Sequence, residues 1–333
     1  MGFFDTILFP FTWLVSTILV GFEALLTSFG MSDTSGATWV LSIVGLVIVL
    51  RILLMPLFVR QIRSQRRMQL LQPELMKIQK KYKGKKDEAS RKQMTEESFG
   101  LYKKHGTNPF SSCLPILFQM PFFFALFRLL NDLDVVAEGR KEPIGFFTRE
   151  LAIKMNDSTI LGAGLSSSFL HTDGDLPAKI LSIVLILLMS FTQFITSHQL
   201  MRKNMPEAAL NGPMARQQQI LIYVLPIMFA VFGVNFPLGV LIYWTTTNLW
   251  TMGQQFYVIR AMPAPGSPAE RAMEERRIAK GKLPKNFGGS VRGAEAEVEA
   301  EAPAKVTGQR HQPQGKKRAK SKGKSKSNRP KGR

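Results

Sequence analysis

At 333 residues, with 45% hydrophobic residues and a formal net charge of +20, the chain passes by its totals for a basic soluble protein. Its one cysteine, Cys113, excludes an intrachain disulfide and a zinc cluster built on cysteine. The distribution of apolar residues excludes the soluble reading: they gather in blocks of about 20, the length a helix needs to cross a hydrocarbon core of ~30 Å at ~1.5 Å per residue.

The first block, residues 6–29 within an N-terminal segment 1–37, is interrupted by Thr12, Ser16, Thr17, Glu23, Thr27 and Ser28. It reads either as a sixth spanning helix or as a helix lying in the membrane interface, and the polar linker MSDTSGAT fits both. The opening MGFFDTILFP has neither the basic start nor the cleavage site of a secretory signal, so no removal is expected. Residues 38–59 make the first uniform span and hold Arg51.

Segment 60–108 is predicted as a helical hairpin. Met68, Leu71, Leu75, Ile78 and Tyr82 recur at spacings of three and four, Gly84 turns the chain, and Ala89, Met94, Phe99 and Tyr102 form a weaker returning stripe. A second span at 110–130 leads to an acidic loop, 131–175, then a span at 176–197 and a connection at 198–218. Spans 219–236 and 238–259 are joined by the tight reversal Asn235-Phe236-Pro237-Leu238-Gly239. The end, 260–333, closes on GKKRAKSKGKSKSNRPKGR, which cannot bury a core, and is predicted as a disordered tail. The fold class is an all-α polytopic membrane protein with five core spans.

Charge orients it. Residues 60–108 hold 14 Lys/Arg against 5 Asp/Glu, 199–218 hold 3 against 1, and 260–333 hold 20 against 7, whereas 131–176 hold 4 against 8. With the basic segments in the cytoplasm, the positive-inside rule is met at all three; the reverse orientation violates it three times.

The histidines, His105, His171, His198 and His311, form no HExxH pair, and neither a Walker loop nor a dinucleotide-binding glycine motif is present. No metal and no cofactor are expected. Arg51 is the residue that demands an explanation, because a cation at bilayer depth costs about 2.5 kcal/mol or more on insertion scales. Nine residues separate it from Arg60, or about 13 Å of helix, and the predicted spans offer it no convincing acidic partner. A guanidinium so placed calls for a hydrated cavity, and such a cavity attracts carboxylates from a guest chain. Gln193, Thr196, Thr245, Thr246, Thr247 and Asn248 are candidate polar walls, each also explicable as a helix-packing hydrogen bond. Pro56, Pro115, Pro121 and Pro226 are expected to bend or loosen their spans.

Arg51 followed by Pro56, then Asn108-Pro109, Cys113-Leu114-Pro115, Gln119-Met120-Pro121, Phe236-Pro237, Tyr243-Trp244 and Asn248, resemble in combination the YidC-type membrane protein insertases of the YidC/Oxa/Alb family, over about residues 5–260. Lacking a large extracytoplasmic domain, the chain is most similar to the actinobacterial form. The resemblance implies a five-helix core whose hydrophilic groove opens to the cytoplasm, with Arg51, Gln193, Thr196, Trp244, Thr247 and Asn248 as groove residues. It also implies a hydrophobic slide for a departing substrate span, placed at Leu117, Met120, Phe124 and Leu241. Val47 stands where some members have a threonine, and Ser112 where a glycine is common.

The implied activity is insertion of nascent membrane proteins into the bacterial plasma membrane, with a cytoplasmic C-terminus and no bond made or broken. The implied partners are the ribosome, through the basic tail and hairpin, together with the Sec translocon, the signal recognition particle receptor and the bilayer itself. Anionic lipid is an alternative target for the tail. Two rival readings are a transporter or channel for a small anion and a passive tether between ribosome and membrane.

Overall fold

The computed structural model describes residues 3–85, 87–108, 114–170, 175–205, 210 and 213–282. Cys113, Pro109, His171 and the tail beyond residue 282 lie outside the described residues. The protein is an all-α membrane protein whose helices are α1 (Phe3–Ser28), α2 (Gly36–Leu70), α3 (Gln72–Lys81), α4 (Glu88–Lys104), α5 (Leu114–Asn131), α6 (Leu133–Ala137), α7 (Arg149–Asp157), α8 (Leu176–Asn204), α9 (Pro213–Gly233), α10 (Leu238–Ala261) and α11 (Pro268–Ile278). One short antiparallel pair, β1 (Thr159–Ile160) and β2 (Ala163–Gly164), lies in the acidic segment. Residues 6–28, α2 and α8 are each long and apolar enough to cross a bilayer, and 117–131 and 219–233 are shorter apolar stretches.

What the sequence divides at Val59 and Arg60 is one continuous helix: α2 runs through Pro56 to Leu70. The break comes at Leu71, and Pro73 then opens α3 because the first turn of a helix needs no backbone donor there. Gly84, at φ +88°, reverses the chain, and Asp87 caps α4 by accepting from the Ser90 N–H at 2.8 Å. Of the predicted stripes, Leu71, Leu75 and Tyr82 are buried, but Ala89 and Phe99 are exposed. The returning helix turns Ser90 and Glu97 inward instead, because Glu97 accepts from both Lys81 Nζ and the Tyr82 hydroxyl, the latter at 2.9 Å.

At the acidic end the helices are locked by short-range packing. Trp39 is fully buried, donates from its indole N–H to the Asp33 carbonyl at 2.9 Å and meets Phe147 edge-on. Asp33 pairs with Lys154 of α7 at 2.7 Å, and this contact holds the Asp33 carboxyl below the usual carboxylate range. Gly36 abuts β1 so closely that a Cβ there would lie 2.3 Å from the Thr159 carbonyl oxygen.

α1 crosses its neighbours. Its Phe22 ring fills the place a Cβ would take at Gly45, and Phe11 meets Phe122 at 5.3 Å. Gly45 lies nine residues into α2 and Phe122 nine residues before the end of α5, so both contacts fall about 13 Å from the acidic end. A helix that meets two neighbours at one depth lies across them.

α8 and α10 run side by side in the same direction, linked by the antiparallel α9. Asn248 Nδ2 donates to the Met189 carbonyl at 3.2 Å, and farther along the Ala264 N–H donates to Asn204 Oδ1 at 2.7 Å. The first turn of α10 has N–H groups with no partner inside the helix. Two of them find carbonyls of the acidic segment: Leu238 donates to Ser167 at 2.8 Å and Gly239 to Leu165 at 3.0 Å.

Candidate functional site

Arg51 is 7% exposed. α2 aims it at one face of α10, where Thr247 and Thr251 stand a turn apart. Its Nη2 donates to Thr251 Oγ1 at 3.0 Å and to the Thr247 carbonyl at 3.5 Å, and Thr251 Oγ1 itself donates to that carbonyl at 2.8 Å. The guanidinium carbon lies 5.3 Å from the Phe58 ring centroid, within cation–π range. No carboxylate pairs with Arg51 among the described residues. A guanidinium offers five N–H donors, and the hydrogen bonds described here use one nitrogen and neutral acceptors only. The charge is positioned and partly solvated by protein dipoles, but it is not neutralised.

Polar contact to Arg51 therefore comes from α10, on which Thr247 was one of the candidate walls. The partner missed in the sequence is Thr251. It falls one turn beyond the Thr245–Asn248 run, and its i, i+4 relation to Thr247 was the signal.

The other predicted groove residues take separate positions. Trp244 is half-buried in a cluster with Phe229 at 4.5 Å, Phe123 at 5.0 Å and Phe236 at 5.9 Å. Asn248 is committed to the Met189 carbonyl, and Thr196 to the Thr192 carbonyl of its own helix at 2.8 Å. Gln193 is half-buried on α8. Val47 is buried in the apolar core. Tyr243, 3% exposed, receives a hydrogen bond from Gln119 Nε2, which joins α10 to α5.

The proposed slide is split by the structure. Leu117, Met120 and Phe124 on α5 are 63%, 43% and 42% exposed, but Leu241 is fully buried with Ala163, Ala178, Ile186 and Leu238. Leu241 does not share the exposed face of the other three slide residues: it points from α10 into the α8 interface.

The family model described as "60Kd inner membrane protein" matches residues 30–265. A "Membrane protein insertase YidC" from Streptomyces avermitilis is 46% identical over 283 residues, covering 82% of this chain and 63% of that protein. The same name attaches to a Tropheryma whipplei protein that is 40% identical over 82% of this chain and 90% of its own length. A solved structure described as "Active YidC insertase crystal structure with the first transmembrane domain resolved" superposes with a TM-score of 0.45 at 20% identity, over 77% of this chain and 47% of that one.

Proposed function

Because this chain belongs to the YidC family of membrane protein insertases, we propose that it inserts nascent membrane proteins into the bacterial inner membrane, with Arg51 receiving acidic groups of the incoming chain. The observation that carries this reading is a buried cation with neutral partners, set where the apolar core ends. On α2 the fully packed residues Trp39, Ile43, Leu46, Val47 and Leu50 all precede Arg51, and none of the described hydrophobic residues from 52 to 70 is buried.

The groove shortens the apolar barrier for a polar tail, and Arg51 offsets its negative charge. Carboxylates cost about 2.5–3.5 kcal/mol each at mid-bilayer on insertion scales. An apolar span released into lipid yields on the order of tens of kcal/mol at ~25 cal/mol per Å². Substrate hydrophobicity therefore drives the step, without nucleotide or bond chemistry. Exposed Leu117, Met120 and Phe124 serve as the exit face. Gln193, Thr196, Trp244, Thr247 and Asn248 belong to this reading as supports of the groove, the last two by fixing α10 against α2 and α8.

The basic end faces the cytoplasm in this reading, where hairpin and tail meet ribosomes and, in turn, the Sec translocon and the signal recognition particle receptor. The crossing of α1 over α2 and α5 supports an interfacial placement for residues 6–29 on the outer side. The test is insertion of a single-span substrate with an acidic tail into vesicles holding the purified protein. Arg51→Ala is expected to reduce insertion several-fold and Arg51→Lys to restore part of it; equal insertion by all three overturns the role given to Arg51.

A further inference from the structure

At the acidic end, β1 and β2 are joined by the two residues Leu161 and Gly162, with φ values of +53° and +84°. Such a turn takes positive φ at both central positions and is normally built from Asn, Asp or Gly. A leucine pays a steric penalty there. It is the only non-glycine residue with positive φ among the described residues, and at 82% exposure it is also the most exposed of their large hydrophobic side chains. A soluble turn would gain twice by replacing it.

The surroundings say what covers it. The base of the hairpin is fixed, because Ala163 and Leu165 are fully buried, Ala163 against α8 and α10. The tip rests on the first turn of α8: a Cβ at Gly162 would lie 3.6 Å from Pro177. From that turn on, α8 turns outward Leu176, Ile180, Val184, Leu187 and Phe191, each more than half exposed and recurring at helical spacing. On a bilayer-crossing helix such a face is the lipid face. Leu161, next to Gly162, stands beside the start of that face.

We infer that the β1–β2 hairpin is a lipid anchor, with Leu161 seated among the upper acyl chains of the leaflet at the acidic end. It holds the acidic segment down on the membrane surface through a rigid two-residue tip. Because two carbonyls of that segment cap α10, the anchor also fixes the height of the helix that bears Thr247 and Thr251.

The test uses the full chain with Cys113→Ser and one new cysteine, at Leu161→Cys, Leu187→Cys or Glu142→Cys, labelled with an environment-sensitive fluorophore. The protein is reconstituted in phosphatidylcholine and phosphatidylglycerol vesicles, with quenching by nitroxide-bearing acyl chains or by iodide on both faces. The label at Leu161 is expected to follow that at Leu187, quenched by lipid and shielded from iodide, and to oppose the label at Glu142. Iodide quenching without lipid quenching overturns the anchor. Shielding from both also overturns it, by showing a protein over the tip. Leu161→Asn, which suits the turn, serves as a second variant: the anchor predicts more iodide quenching of a label on the neighbouring Thr159→Cys.

Discussion

The two halves of this bundle on either side of Arg51 are built differently. Toward the acidic end, α1, α2, α5 and the folded segment 133–165 share one core in which Val15, Leu19, Trp39, Ile43, Leu46, Leu130, Leu133, Met155 and Leu165 are almost wholly buried. Toward the basic end, α2 and α5 keep their helical course but leave that core: residues 52–60 of α2 and 117–121 of α5 have no fully buried side chain among those described. The same helices thus make a sealed half and an open half. Arg51 sits at the boundary, where a cation can be held by fixed dipoles on one side and reached from the other.

The contrast can be broken by mutation. Trp39→Ala removes a fully buried indole and its hydrogen bond, and should cost about 3–5 kcal/mol, read as a fall in thermal unfolding temperature in detergent. A loss below about 1 kcal/mol would mean the sealed half is not close-packed. Gln119→Leu leaves the buried Tyr243 hydroxyl without its partner on α5 and should cost about 1–3 kcal/mol, with Tyr243→Phe in the same background recovering part of it. No coupling between the two would show that α5 and α10 are not joined there.

The smallest effect belongs to the hairpin. Lys81 and Tyr82 hold Glu97 below its ordinary range. Its contribution is therefore complete above the unfolded value of about 4.3 and is lost as pH falls through the depressed one. Limited proteolysis of α3 and α4 should rise in acid before the sealed half opens, and Glu97→Gln should show the raised rate already at neutral pH. Equal pH dependence in wild type and variant would remove Glu97 from the account.

Much of this was legible in the sequence because it follows from local rules. Block length marked the helices, Gly84 the hairpin turn, and Phe236-Pro237 the reversal before α10. The cost of Arg51 marked it as a candidate before any contact was known. Direction was harder. Residues 238–244 of α10 are apolar on every side, so periodicity could not tell which residues meet lipid and which meet α8, and Leu241 was misplaced for that reason. Thr251 was missed because its importance lies in a contact made 200 residues away. The fold of the acidic segment was hidden too, since its anchoring hydrogen bonds join carbonyls of 165 and 167 to a helix that begins at 238.

That last connection bears on how the molecule is made. Residues 165 and 167 leave the ribosome about 70 residues before the two N–H groups that will occupy their carbonyls. Until α10 arrives, the acidic segment keeps its docking edge unfilled, and the Arg51 site lacks the wall that supplies Thr247 and Thr251. Synthesis from N to C terminus therefore completes the seal at the acidic end and the site in one event, with α10. A chain truncated before α10 would have neither, and the acidic segment would be most open to a protease during that interval.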